Sequence, residues 1–140
     1  MRTWIFQANP DKYRINNSLE SENEEFWNLN QHKDKVSVGD RVLIWISGTE
    51  AGIYAIGTVM SPPVLMSDSL TGQSYWIPPS DGRIPKLRVR VRYDRILKDP
   101  LGKAFLLADL RLRNLSILRS WRATNFIVTD DEWSAIQDFL

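Results

Sequence analysis

In the run RVLIWIS, Arg41 to Ser47, apolar side chains fill both alternating sets of positions: Val42, Ile44 and Ile46 in one, Leu43 and Trp45 in the other. Successive side chains of a strand point to opposite faces, so this segment needs cover on both sides. A strand finds that only in a barrel wall or a sheet core. Gly39-Asp40 turns the chain into it, SGTEAG (Ser47 to Gly52) reads as a hairpin loop, and Ile53 to Met60 is expected to return antiparallel. Gly57, inside the returning strand, marks a bulge or the close approach of another chain segment. The pair makes a rigid wall whose ends can carry ligand-reading groups on loops. It holds no nucleophile, no metal ligands and no phosphate loop.

The rest of the chain is strand-rich around this wall. Thr3 to Ala8 (TWIFQA) reads as a short buried strand stopped by Asn9 and Pro10. Between Asp11 and Lys33, Tyr13, Ile15, Leu19, Phe26, Trp27 and Leu29 are spaced irregularly, which predicts one or two short helical turns joined by polar loop. Ser61 to Pro85 is rich in Pro, Ser and Gly and too long for an idle connection, so it is expected to be functional or mobile. In KLRVRVRY the alternation places Leu87, Val89, Val91 and Tyr93 inward and Lys86, Arg88, Arg90 and Arg92 outward. A loop is expected at KDPLGK, Lys98 to Lys103, after which AFLLADLRLRNLSIL has a periodicity that does not separate helix from strand. Thr129 and Glu132 form a Thr-x-x-Glu capping box for a final helix, with Val128 and Trp133 spaced as a hydrophobic staple. The predicted architecture is one α+β domain over residues 1–140, an open β-barrel of about five or six strands with short peripheral helices. The ending DFL, without a polar tail, fits a domain cut from a longer protein.

Several function classes fall away on residue inventory. With no cysteine there is neither a disulfide framework nor a thiolate metal site, and a cytoplasmic location is expected. No apolar run reaches membrane-spanning length, and the opening MRTWIFQANP turns polar too quickly for a secretion signal. His32 is the sole histidine, no Gly-x-Ser-x-Gly elbow or Gly-rich phosphate loop occurs, and no cofactor or metal is implied. Between Arg83 and Arg122, twelve Lys or Arg stand against Asp94, Asp99 and Asp109, while acidic clusters lie at Glu20–Glu25 and Asp130–Glu132. A basic middle between acidic flanks points to an anionic partner for one face, or to charges that merely solvate strands and loops.

Among six Trp, Trp4, Trp45 and Trp133 have structural explanations on strands or on the capped helix, with Trp45 read as packing. Trp27 and Trp76 lie in polar surroundings, EEFWNLN and GQSYWIPPSDG, where each either plugs a core or walls a slot for a flat ligand. Base-on-aromatic stacking contributes about 1–3 kcal/mol, and two facing walls would hold a flipped-out base.

The opening WIFQANP, the block FWNLNQHKDKVSVGDRVLIWISGTEAGIYAIGTV, the later YWIPP, the basic LRVRVRY and the closing RATNFIVTDDEW occur in an order that resembles the EVE domain. That family is a member of the PUA-like superfamily, related to the YTH domain and found in modification-dependent restriction systems. The resemblance implies a pseudo-barrel that binds nucleic acid, DNA favoured over RNA, carrying a modified base such as 5-methylcytosine. It places Trp27 and Trp76 at the cage positions, Asn9 against the base and Ser47 at the pocket mouth, and leaves the third wall open. Arg83, Lys86, Arg88, Arg90, Arg92, Arg119 and Arg122 are the expected phosphate contacts. The domain itself is expected to be non-catalytic, with any nuclease or NTPase motor on another segment or chain. The rival expectations are a module reading modified RNA, or an interaction domain whose cage takes a small molecule.

Overall fold

The computed structural model describes residues 1–140 throughout. Its wall is the predicted one. Strand β1 (Thr3–Ala8) runs parallel to β3 (Arg41–Ile46), with Trp4 beside Val42 and Phe6 beside Ile44, and β4 (Gly52–Val59) returns antiparallel on β3. Each face of this wall meets its own core. Val42, Ile44 and Ile46 pack with Trp4, Phe6 and Val89 inside the curl of the sheet. Leu43 and Trp45 pack with Ile5, Ile53 and Phe126 on the other side. Trp45 is therefore a packing residue, as its neighbours in sequence led us to expect.

The remaining elements complete the two cores. Helix α1 (Ile15–Ser21) caps the inner one with Ile15 and Leu19. Strand β2 (Glu24–Asn28), β5 (Val64–Met66) and the long β6 (Lys86–Gly102) extend the sheet, and β7 (Asn125–Val128) closes its far edge on β1. The seven strands follow the order β2-β6-β4-β3-β1-β7, with β5 paired to β6. Helices α3 (Lys103–Ala108), α4 (Ser116–Arg119) and α5 (Asp130–Gln137) cover the outer core with Leu106, Ile117, Ala135 and Ile136. A short α2 (Leu70–Gln73) and a 3-10 turn (Pro79–Arg83) lie in the excursion between β5 and β6. The result is a curled, mixed half-barrel with peripheral helices, which matches the expected fold class. No helix is long and apolar enough to cross a membrane.

Three local expectations need correction, and one question left open by the sequence is answered. The segment around Trp27 is strand β2 rather than helical turn, paired antiparallel with β6 so that Trp27 sits beside Val89. Its polar composition hid it, because its inward Glu25 is buried by hydrogen bonds instead of by apolar character. The excursion Ser61–Pro85 is built of β5, α2 and the 3-10 turn, and with β2 it raises the strand count to seven. KDPLGK is no simple loop. β6 runs through it, although four residues of β6, Leu97 to Pro100, stand against Tyr54 alone in β4. AFLLADLRLRNLSIL resolves into α3 and α4, with no strand.

Gly57 lies opposite a bulge and under a close approach of β6, the two features its position pointed to. Opposite Ile56 and Gly57, β6 carries the extra residue Asp94, and a one-residue slip exchanges the faces of a strand. Val89 and Val91 accordingly enter the inner core, while Leu97 and Leu101 enter the outer one. A Cβ on Gly57 would meet the Arg92 carbonyl oxygen at 2.5 Å and Val91 Cγ1 at 2.8 Å, so no other residue fits there. The C-terminal capping box also forms, with Glu132 N–H donating to Thr129 Oγ1 at 3.1 Å and Thr129 N–H to Glu132 Oε1 at 3.0 Å.

Candidate functional site

At the open end of the half-barrel the chain leaves a cleft of about 820 Å³, well within the roughly 300–1,000 Å³ typical of ligand sites. Its position follows from where strands stop. β1 and β3 end together, Ser47 N–H donating to the Ala8 carbonyl at 3.0 Å, which brings Asn9 and Ser47 side by side at the rim. In Asn9, Oδ1 accepts from the Asp11 N–H at 2.9 Å and the carbonyl accepts from Lys12 and Tyr13 N–H groups. That turn leaves the Asn9 side-chain NH2 as the group available to a ligand.

Trp27 and Trp76 reach the same cleft from opposite parts of the sequence. Trp27 comes from β2 and is only 7 % exposed, packed beside Phe6 at 6.3 Å between ring centres, so it serves both core and cleft. Trp76 is held by a small antiparallel bridge with Tyr13, in which Arg14 N–H donates to the Tyr75 carbonyl and Ile77 N–H to the Lys12 carbonyl. Its ring meets Tyr13 edge-on at 4.9 Å.

A third indole, Trp121, was not assigned by sequence reasoning. It is 64 % exposed and lines the cleft with Arg122, whose guanidinium lies 5.3 Å from the ring centre. The backbone beneath is fixed, because Gln7 Nε2 donates to the Trp121 carbonyl at 2.9 Å and to that of Ala123 at 2.8 Å. The signal was present in RSWRAT, a large aromatic among charged and polar residues with no apolar neighbour to pack on.

Beneath the indoles lies a buried hydrogen-bond network. Tyr13 Oη donates to Glu25 Oε1 at 2.5 Å, while Ser18 Oγ at 2.9 Å and Tyr93 Oη both donate to Glu25 Oε2. Trp27 Nε1 in turn donates to Tyr93 Oη at 3.0 Å. Burial pushes the Glu25 carboxyl above its usual range despite the three hydroxyls that favour its charge, and burial beside that carboxyl pushes both tyrosines up, so both remain protonated donors. Trp76 is tied down similarly, its Nε1 donating to Asp68 Oδ2 at 2.8 Å.

The basic strand needs the largest correction. Arg88 does not project outward. It is 1 % exposed, with Nε donating to the Met66 carbonyl, Nη1 to Asn28 Oδ1 at 2.6 Å and Nη2 to the Ile84 carbonyl. Its guanidinium lies 4.0 Å from Asp68 and 6.0 Å from the Trp76 ring centre. The excursion between β5 and β6 folds over this end of β6 and uses Arg88 as its anchor, so Arg88 cannot meet a phosphate. Arg92 is exposed but bonded to Asp94 at 2.8 Å, Arg90 Nη1 lies 3.7 Å from Glu24, and Arg119 Nε donates to the Asn114 carbonyl. Arg83 is exposed away from the cleft lining. Only Lys86 and Arg122, of the seven expected contacts, line the cleft, and Lys12 joins them there.

A curled, mixed half-barrel with short peripheral helices is a fold of the PUA-like class. Within that class the chain belongs to the EVE domain family, whose model matches residues 2–139. Among solved structures it is similar to a protein from Leishmania major (19 % identity, 99 % of this chain and 94 % of that one, TM-score 0.73). It is also similar to Rpa0253 from Rhodopseudomonas palustris (19 % identity, 99 % and 92 %, TM-score 0.71). A third is human THYN1, solved in complex with DNA containing 5-methylcytosine (15 % identity, 99 % and 97 %, TM-score 0.73). No curated relative matches it at the sequence level.

Proposed function

We propose that this domain is a non-catalytic reader of modified bases in DNA, with modified cytosine such as 5-methylcytosine as its ligand. The observation that carries this reading is convergence: Asn9, Trp27, Ser47 and Trp76, four residues from four separated stretches, line a single cleft with Lys86 and Arg122. The similarity to human THYN1, whose DNA ligand contains that base, supports the same chemistry.

In this mechanism the base swings out of the stack and enters between indole faces, Trp27 from β2 and Trp76 from the excursion. Trp121 supplies the third aromatic surface at the rim. Lys86 and Arg122 neutralise flanking phosphates, which gives affinity without regard to sequence. Burying one methyl group adds only about 1 kcal/mol. Discrimination therefore rests on shape and on hydrogen bonds to the base edge, from Asn9, Ser47 and the polar floor. Recognition is the domain's share of the work. Cleavage in a restriction system would come from a nuclease on another segment or chain.

Calorimetric titration with duplexes that differ by a single 5-methyl group tests the proposal. Preference for the methylated duplex, weakened by Trp76→Ala and Trp121→Ala, is the expected result. Equal affinity for both duplexes, or tighter binding of a matched RNA, would sink it.

A further inference from the structure

The cleft floor has an unusual hydrogen-bond balance. Both cage indoles give their single N–H to groups inside the protein, Trp27 to Tyr93 Oη and Trp76 to Asp68 Oδ2. Tyr13, Ser18 and Tyr93 each give their hydroxyl proton to Glu25. These indole and hydroxyl donors are thus directed away from a ligand and, Trp76 apart, their chain of bonds ends on one carboxylate. No Lys or Arg forms an ion pair with Glu25, whose polar partners are all neutral hydroxyls. Glu25 lines the cleft two residues before Trp27 on the same inward face of β2. An ionised carboxylate offers about four acceptor sites. Two hydroxyls occupy Oε2 and one occupies Oε1, so Oε1 retains an open acceptor position.

From this we infer that Glu25 is the base-reading group of the cleft, accepting a hydrogen bond from an exocyclic amine, and that the site selects amine-bearing bases over keto-bearing ones of the same shape. The inference rests on the base-reading function proposed above and adds the polarity of the base edge to it. A carboxylate accepting from the cytosine N4 amine is a well-matched pairing. A 4-keto oxygen in that place would face the carboxylate lone pair and leave two acceptors buried against each other, which disfavours binding strongly. Thymine carries the same 5-methyl group as 5-methylcytosine, so the methyl-sized space alone cannot tell them apart. Glu25 can.

The test uses the whole domain and three duplexes identical except at one position, which holds 5-methylcytosine, thymine opposite guanine, or 5-methyl-2-pyrimidinone, a ring that keeps the methyl and lacks the amine. The wild-type protein should bind the 5-methylcytosine duplex at least about tenfold more tightly than either of the others, the usual scale of a lost hydrogen bond to a charged group. Glu25→Gln places an amide N–H2 where Oε1 stood, so its preference for 5-methylcytosine over thymine should shrink or reverse. The pyrimidinone comparison needs no variant and stands even where Glu25→Gln folds poorly. Strong binding of 5-methylcytosine with equal binding of the pyrimidinone, or an unchanged preference in a folded Glu25→Gln protein, would overturn the role of Glu25 and leave the reader intact. Failure of the wild type to bind any of the three removes the reader itself, and this inference with it.

Discussion

Trp121 and Glu25 show how differently two side chains of one cleft are held. Trp121 is mostly in solvent over a pinned backbone, so its removal disturbs little of the fold. Trp121→Ala should leave the urea-unfolding free energy within about 0.5 kcal/mol of wild type, yet lower DNA affinity by the worth of one stacked base, ~1–3 kcal/mol. Trp27→Ala would instead mix a core cavity of ~3–5 kcal/mol with any binding loss. Glu25 carries a pH signature. Its folded pKa is raised chiefly by burial, so the folded protein holds that proton more tightly than the unfolded chain does. This contribution to stability is complete below the ordinary glutamate value of 4.5 and is lost as pH rises through the elevated folded value. The stability of wild type relative to Glu25→Gln should therefore decline as pH is raised from about 4 toward neutrality, read by urea unfolding at each pH. Asp68, raised in the same direction, is common to both proteins and drops out of the difference.

The excursion between β5 and β6 is an element whose cohesion comes from polar groups and glycines. Arg88 fastens it through the Met66 and Ile84 carbonyls, and Asp68 hangs Trp76 from it. Removing one side of a buried charge pair leaves the other uncompensated, so Arg88→Ala should cost ~3–5 kcal/mol in thermal or urea unfolding. Gly82 is packed against Trp76. A Cβ there would sit 2.6 Å from Trp76 Cδ1 and 3.0 Å from the Gln73 Cα, so the ring or the turn has to shift. Gly82→Ala should weaken binding of the methylated duplex several-fold, a displacement of Trp76 that a change in its fluorescence would report. The pattern of polar and small residues in this stretch marked it as more than a connection. Its partners were illegible, because Arg88 reads in sequence as one more outward arginine of KLRVRVRY.

At the scale of the molecule, charge separates into what the fold consumes and what it leaves for a ligand. Arg88, Arg90, Arg92 and Arg111 are occupied by Asp68, Glu24, Asp94 and the pair Asp109 and Asp138. Lys86 and Arg122 remain at the cleft. The salt dependence of DNA binding should reflect this division. The slope of log affinity against log salt changes by about 0.9 for each phosphate contact. The double variant Lys86→Gln, Arg122→Gln should flatten the slope by nearly two, whereas Arg92→Gln should leave it almost unchanged.

The sequence alone determined the parts whose physics is local. Two-faced apolar alternation in Arg41 to Ser47 demanded a strand covered on both sides, Thr129 and Glu132 started the last helix, and Gly57 marked the bulge. The first two are legible because a strand's faces and a helix's first free N–H groups are set by neighbours a few residues away. The third is legible because a glycine inside a strand shows in the sequence, even though the backbone that crowds it, at Arg92, comes from β6. Strand β2, the inward turn of Arg88 and the use of Trp121 at the rim were decided only in three dimensions. Glu25 is tolerable inside because Tyr13, Ser18 and Tyr93 arrive there from elsewhere, and Arg88 because Met66, Asp68 and Ile84 do. Burying a polar group costs little when its partners are in place and a great deal when they are not, and which partners arrive is a property of the folded chain.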